Sequence, residues 1–210
     1  ESKASLDTAP GIWRFWKAQD GLGDTWCYGA SIGPTGNLSV THVERSMHDD
    51  YLDGYTVHPL PACLPYSNIV EGLEKHLWLF NWKDTGAIRT YEVTGNASPV
   101  NWRRHLLSSP ILFSAFGLTF HPLDNHRFLY ISQDQRILEF DIQSRSSKLV
   151  IQGSNTRLGE FLKLSPGRDD QSVWISGHNG LGHLQRDGSW REHLLPGREG
   201  PCLVEYETDA

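Results

Sequence analysis

HLWLFNW, at residues 76–82, is the stretch of this 210-residue chain that decides its fold. It is apolar at almost every position, which predicts a β-strand buried on both faces. Three other stretches are predicted to be the equivalent strands of further units: LSVTHV at 38–43, RFLYIS at 127–132 and SVWISG at 172–177. The central residues of the four stretches lie 39, 51 and 45 residues apart: Val40, Leu79, Tyr130 and Ile175. A repeat of about 40–50 residues therefore runs through the chain.

A second feature repeats in its own register. A tryptophan followed by arginine begins an outer strand at Trp13, Trp102 and Trp190, and the intervals of 89 and 88 residues each equal two repeats. These tryptophans are expected to be exposed. Two independent registers with the same period indicate a genuine structural repeat.

Each repeat contains four strand-like segments and no helical periodicity. The predicted fold is therefore all-β, a β-propeller with one four-stranded blade per repeat, in which neighbouring blades cover both faces of each sheet. A β-sandwich is the alternative, but it does not require a repeat of this length. The predicted blades cover residues 24–61, 66–107, 113–152 and 158–195, with the first strand of the third blade at 114–120.

The ends of the chain extend this pattern. Residues 1–11 are predicted to be a polar tail, whereas 12–17 and 201–207 have the character of an outer and an inner strand of a further, partial blade. The sequence thus predicts a fragment of a larger, seven-bladed ring. Exposed blade faces favour association, so we expect either self-association or pairing with missing blades of the parent propeller.

Charge and hydrophobicity argue against nucleic-acid binding and against membrane insertion. The net charge is −6 and the 19 Lys and Arg residues are scattered, which argues against nucleic acid. No apolar run is long enough to insert in a membrane. Cys27, Cys63 and Cys202 are far apart, without a CxxC pair, and are expected to be buried free thiols.

Two stretches resemble a known family. WISGHNGLGHLQRDGSW at 174–190 is similar to the two-component regulator propeller repeat, in which a W-I-G-T element precedes G-L and D-G-x-W. RFWKAQDGLGD at 14–24 with PTGNLSVTHV at 34–43, and LDGYTVHPLP at 52–61, look like other parts of that repeat. Thr35 and Ser39 depart from its usual Asp and Trp.

The resemblance implies the extracytoplasmic sensor region of a bacterial hybrid two-component system, periplasmic or extracellular in location. It further implies ligand sensing, often of oligosaccharides, and neither catalysis nor a cofactor. Two other functions stay open: a propeller enzyme of the streptogramin-lyase type, and a structural propeller that docks proteins.

Few residues have the pattern of a reactive centre. The histidine pairs His178/His183 and His121/His126 lack the further ligands of a typical zinc site, so no metal is predicted. His42 is expected to be a hydrogen-bonding residue of the core or rim, and no catalytic residue is assigned. The paired acids at 49–50 and 169–170 are predicted to be solvated turn residues.

The loops that join second to third strands are better candidates for function. In a propeller they share a face with the segments that link successive blades, and ligands commonly bind there. An aromatic ring beside polar side chains suits a sugar. The candidate ligand-binding residues are Trp82, Lys83, Asp84, Gln133, Asp134, His178 and Asn179.

Overall fold

The computed structural model describes residues 17–24, 27–33, 36–42, 49–52, 56–60, 67–72, 76–92, 102–167, 172–195, 197 and 201–203. Sixteen strands in these ranges form four sheets of four strands each. In every sheet the strands pair antiparallel in chain order. The all-β propeller fold is confirmed, with helix in the described ranges limited to two short 3-10 turns, Ala18–Asp20 and Gly153–Asn155.

The four blades follow one another along the chain. Blade 1 contains β1 Cys27–Ile32, β2 Leu38–His42, β3 Asp49–Leu52 and β4 Val57–Leu60. Blade 2 contains β5 Ser67–Glu71, β6 His76–Asn81, β7 Ala87–Glu92 and β8 Arg103–Leu106. Blade 3 contains β9 Phe120–Pro122, β10 Arg127–Ile131, β11 Arg136–Asp141 and β12 Ser146–Gln152. Blade 4 contains β13 Phe161–Pro166, β14 Val173–Gly177, β15 Gly180–Leu184 and β16 Trp190–Leu194.

Strand β6 is buried on both faces, as its sequence predicts. Leu77 and Leu79 pack in a cluster with Tyr51 of blade 1. Trp78 points the other way, into a cluster with blade 3, where its ring centroid lies 5.2 Å from that of Phe128. Burial of each such side chain contributes about 1.5–3 kcal/mol. The alternating side chains of one strand thus hold three blades together.

Strand β10 repeats this arrangement one blade further on. Phe128 and Tyr130 face blade 2, whereas Leu129 and Ile131 join a cluster that contains Ile175 of blade 4. Consecutive blades are therefore joined by continuous apolar cores. Four blades stacked in this way are consistent with a fragment of a larger propeller.

Hydrogen bonds also cross between blades near the inner strands. The Ser31 hydroxyl donates to the carbonyl oxygen of Ile69 over 2.6 Å, joining blades 1 and 2. The Leu164 N–H donates to the carbonyl oxygen of Leu118 over 2.8 Å, joining blade 4 to the segment that precedes β9. Buried backbone groups need hydrogen-bond partners. Here the partners lie in a neighbouring blade, so these bonds fix the blades relative to one another.

The outer tryptophans are half-buried, and the expectation that they are exposed is wrong. Trp102 packs against Tyr91 with ring centroids 5.6 Å apart. Trp190 lies over Gly182, where an added Cβ would overlap the indole ring. Each ring covers apolar surface at the outer edge of its sheet, which a Trp-Arg pair in sequence does not reveal. Trp13 lies outside the described residues.

The first strand of blade 3 differs from its prediction, and the predicted partial blade lies mostly outside the described residues. The first strand of blade 3 is Phe120–Pro122, not 114–120. Residues 114–119 instead continue the link from blade 2, with Gly117 at a φ of 133°. The predicted partial blade at 12–17 and 201–207 lies outside the described residues except for Lys17 and 201–203, none of which belongs to a strand.

Candidate functional site

Three of the four connections between second and third strands are described, and the candidate binding residues follow β6, β10 and β14 within them. Each connection is bonded to a segment that links blades. The Ile111 N–H donates to the carbonyl oxygen of Thr85 over 2.8 Å, and the Asn179 N–H donates to that of Leu158 over 2.8 Å. We call the surface made by these three connections and by the linking segments 107–119 and 153–160 the loop face.

An aromatic pair lies on the loop face. Trp82 is half-buried, and its ring centroid is 4.7 Å from that of Phe113 in the linking segment. Phe113 is 50% exposed and Phe116 is 41% exposed. Exposed rings of this kind offer flat apolar surface to a ligand.

Asp84 is held next to this pair by two arginines. Arg104 contacts both carboxylate oxygens, through Nε at 3.0 Å and Nη2 at 2.9 Å, and Arg89 Nη2 lies at 2.7 Å. Hydrogen bonds from Arg104 and then Arg89 lower the pKa of Asp84 below its ordinary value of 3.8. The neighbouring Lys83 is exposed, and its N–H donates to Asn81 Oδ1 over 2.8 Å. The loop is therefore fixed in shape and carries fixed charges.

The connection after β10 has a similar arrangement. Gln133 and Asp134 are exposed. The carboxylate of Asp134 accepts hydrogen bonds over 2.5 Å from Arg136 Nη2 and from the Ser132 hydroxyl. These bonds, from Arg136 first, lower the pKa of Asp134 below 3.8. The Gln133 N–H donates to the carbonyl oxygen of Pro110, which anchors this loop to the linking segment.

His178 and Asn179 are both exposed at the connection after β14. His178 Nε2 is 4.0 Å from a carboxylate oxygen of Glu160, and the Asn179 amide donates to the Arg157 carbonyl over 3.4 Å. The contacts described for the seven candidate residues hold each of them to its own blade or to the adjoining linking segment. The structure thus brings the candidates to one face, as three neighbouring loops.

At the corresponding end of blade 1 the structure places buried carboxylates on a strand. Its connection at 43–48 lies outside the described residues, but both flanking strands are described. Asp49 and Asp50 belong to β3 and are 7% and 0% exposed, so the prediction that they are solvated turn residues is wrong. Each carboxylate accepts a backbone N–H: Asp49 from His42 over 2.9 Å and Asp50 from Gly23 over 2.7 Å. Hydrogen bonding permits the burial.

A linked set of three side chains lies there. His42 Nε2 is 2.6 Å from Asp50 Oδ2, with both side chains 0% exposed, and His42 Nδ1 is 3.8 Å from Cys27 Sγ. Cys27 is exposed, which corrects its predicted burial, whereas Cys202 is buried as predicted and Cys63 lies outside the described residues. His42 is a hydrogen-bonding residue, as expected, but with partners that the sequence did not indicate. Desolvation, followed by the charges of Asp50 and Asp24, raises the pKa of Cys27 above 9.0.

The sequence carried a weak signal for this set. Strand β2 has the polar residues Ser39 and Thr41 at buried positions where β6 has Trp78 and Phe80, and it also buries His42. A run of buried polar residues needs polar partners. That requirement pointed to nearby acids, but not to which acids or to Cys27.

Another buried polar set joins blades 1 and 2 at the opposite end of the sheets. Glu71, 2% exposed, accepts hydrogen bonds from the Tyr51 hydroxyl over 2.7 Å and from the Asn37 amide over 3.0 Å. Asn37 also contacts the Tyr51 hydroxyl. These contacts satisfy the buried carboxylate and give it a structural role.

The other histidines lack this arrangement. Burial lowers the pKa of His121 to about 4, so it is neutral at physiological pH. His183 stacks on Trp174 with ring centroids 4.2 Å apart. Within the described ranges, no three His, Cys, Asp or Glu side chains are grouped as metal ligands. No described helix is long and apolar enough to cross a membrane.

Comparison with solved structures supports the fold. The WD40 domain of SCAP from fission yeast is similar over 81% of this chain and 42% of its own, at 14% identity and a TM-score of 0.50. A virginiamycin B lyase from Staphylococcus aureus, solved with quinupristin, is similar over 83% of this chain and 57% of its own, at 16% identity and a TM-score of 0.44. A streptogramin B lyase gives 15% identity, 82% and 55% coverage and a TM-score of 0.45.

The likeness to the WD40 domain shows a β-propeller fold. The chain spans about half the length of the propellers it resembles. No family model matches the sequence, and no curated protein matches it. The chain is thus a β-propeller protein whose loop face carries exposed aromatic and charged side chains.

Proposed function

We propose that the loop face binds a small ligand, with oligosaccharides as the favoured class. The observation that carries this proposal is the pair Trp82–Phe113, with ring centroids 4.7 Å apart and Phe113 half exposed. Sugar rings stack on such surfaces through their C–H groups, while nearby polar groups fix their orientation. On the same loop, the clamped Asp84 supplies a carboxylate of fixed position, and the exposed Lys83 supplies an ammonium group.

The test is calorimetric titration with a panel of neutral and acidic oligosaccharides. Phe113→Ala is expected to weaken binding at least tenfold, because loss of a central aromatic contact often exceeds about 1.4 kcal/mol. Leu149→Ala on β12 is the matched control, since Leu149 is also 50% exposed but lies on an outer strand. Binding that is equal in both variants, or no binding by any member of the panel, would refute the proposal.

We also propose that the chain is part of the sensor region of a bacterial two-component signalling protein, outside the cytoplasm. The support is the repeat motif at 174–190, whose parts fit the geometry of blade 4. Its D-G-x-W element forms the β15–β16 turn, in which Gly188 has a φ of 82° and the Ser189 N–H donates to Asp187 Oδ1 over 2.8 Å. In the parent protein, ligand addition should change kinase output, and loss of that response in Phe113→Ala would link the output to the loop face.

A lyase function is tested in the same titration. Under the binding proposal the ligand is recovered chemically intact, as mass spectrometry would show. A product formed by bond cleavage, and lost on addition of a chelator, would instead assign a metal-dependent propeller enzyme.

We further propose that the isolated chain pairs with a second copy through its outer blades. The support is the face of blade 1 turned away from blade 2, where Ile32 is 70% exposed beside the half-buried Leu38 and Val57. Light scattering should give a mass near twice 23.7 kDa, and Ile32→Asp should shift the protein to monomer. A monomeric wild type would contradict this pairing.

A further inference from the structure

We propose that Cys27, His42 and Asp50 form a nucleophilic site at which the Cys27 sulfur accepts an acyl group from a small thioester. The site lies beyond the ligand-binding surface proposed above and does not depend on it. Cys27 is the first residue of β1 and pairs with His42, the last residue of β2, so both lie at the loop-face end of blade 1. Cys27 is exposed and is thus accessible to a dissolved acyl donor.

The geometry assigns the protons. Nε2 of His42 is 2.6 Å from the Asp50 carboxylate, which can only accept a hydrogen bond. The proton of a neutral imidazole is therefore on Nε2, and Nδ1 has a free lone pair. That lone pair faces Cys27 Sγ at 3.8 Å. This is the order of groups found in nucleophilic triads: an accessible nucleophile, a base beside it and a carboxylate that orients the base.

Asp50 is itself held in place. It is fully buried, and the Gly23 N–H donates to the same oxygen, Oδ2, that contacts His42. The adjacent Asp49 accepts the backbone N–H of His42. The imidazole is therefore positioned by its ring through Asp50 and by its backbone through Asp49. Such pre-organisation is what a general base requires.

The charges around the sulfur make the base necessary. Desolvation, followed by the charges of Asp50 and Asp24, disfavours a thiolate, so Cys27 is a thiol at rest. During attack, the thiol proton passes to His42 Nδ1 while sulfur bonds to the carbonyl carbon of the thioester. The carbon–sulfur bond of the donor then breaks, and its thiolate takes the proton from His42 and leaves as a thiol. The product is S-acylated Cys27, with no change in oxidation state.

The probe is S-phenyl thioacetate, and mass spectrometry locates and times acetylation of Cys27. Asp50→Asn is expected to slow this reaction at least about tenfold, because base catalysis contributes about 10²–10⁴. Ser39→Ala is the matched control: it alters the same strand at a buried hydroxyl that has no hydrogen-bond partner, and its rate should stay within about twofold. Circular dichroism verifies that each variant is folded.

The direction in which Asp50→Asn changes the reaction rate of Cys27 distinguishes a nucleophilic site from a purely structural one. If Asp50 acted only as a nearby negative charge, Asp50→Asn would lower the pKa of Cys27 and make it react faster. An equal or faster rate would therefore overturn the proposal. A second comparison needs no variant: at pH 7, wild-type Cys27 should react at least about tenfold faster than N-acetylcysteine. An equal or slower rate would also overturn it.

Discussion

Strands β2 and β6 occupy the same position in neighbouring blades and are both buried, but β6 buries mostly apolar side chains whereas β2 buries mostly polar ones. Strand β6 contributes Leu77 and Trp78, each 0% exposed, to apolar clusters on its two faces. Strand β2 buries the polar residues Ser39 and Thr41 where β6 has Trp78 and Phe80, and it ends with the buried His42. The fold thus accepts either a largely apolar strand or one with several buried polar side chains, of which His42 is bonded to a buried carboxylate.

The two kinds of strand have different roles in the protein. An apolar strand stabilises the stack in proportion to the surface it buries. A buried polar strand gives up some of that stabilisation and, when its groups are satisfied, fixes them in one arrangement. Blade 2 therefore provides stacking, whereas blade 1 provides an ordered set of ionisable groups next to an exposed thiol.

The largest expected effect is on the apolar side of this comparison. Trp78→Ala should lower the free energy of unfolding by about 3–5 kcal/mol, because it leaves a cavity between blades 2 and 3. Trp78→Phe is the control and should have a much smaller effect, since the indole nitrogen has no hydrogen-bond partner in the structure. Urea titration measures both. A small loss for Trp78→Ala would show that blades 2 and 3 are not stabilised by this core.

The next effect tests the polar side. Asp50→Asn should lower the free energy of unfolding by about 1.5–3 kcal/mol, because it weakens a buried hydrogen bond to His42. Ser39→Ala on β2 should be nearly neutral, since the Ser39 hydroxyl is buried without a partner. If both variants were equally stable in urea, the polar groups of β2 would have no ordering role.

Close packing between β15 and β16 gives a comparable or smaller effect. Gly182→Ala places a methyl group against the Trp190 ring and should lower the free energy of unfolding by about 1–3 kcal/mol. The double variant with Trp190→Leu should lose less than the sum of the two single variants, because the overlap is relieved. Strict additivity would show that the ring is displaced easily.

The smallest effect concerns the loop face. Asp84→Asn should lower the free energy of unfolding at pH 7 by less than about 1 kcal/mol, since Arg104 is largely exposed. A pKa lowered in the folded state stabilises the protein above the ordinary carboxyl pKa of 3.8. That stabilisation is lost as the pH falls through the lower, folded-state value. The difference between wild type and variant should therefore be constant near neutrality and shrink below pH 3.8.

Much of the fold could be predicted because burial leaves a periodic record in sequence. The apolar run of β6 and its counterparts gave the number and order of blades, and the strand–turn–strand spacing placed the exposed loops. Trp82 was predicted to lie on the loop face, but its contact with Phe113 depends on the path of the linking segment, which has no periodic pattern. The outer tryptophans were misjudged because a neighbouring arginine does not determine their burial.

The set in blade 1 was beyond prediction for a different reason. Adjacent acids are typical of turns, and only the pairing of β3 shows that Asp50 is buried. The proximity of Cys27 to His42 depends on the β1–β2 register, which shifts between Cys27 and Gly29. A one-residue change in register would turn the thiol to the other face of the sheet.

The most direct test of the polar arrangement in β2 is the protonation state of His42 in ¹⁵N-labelled protein. Long-range ¹H–¹⁵N NMR distinguishes the two ring nitrogens, and His42→Gln identifies the signal among the ten histidines. For the neutral imidazole we expect the proton fixed on Nε2 and a bare Nδ1 facing Cys27. A neutral ring with its proton on Nδ1, or rapid exchange between the two neutral tautomers as in an exposed histidine, would contradict this arrangement.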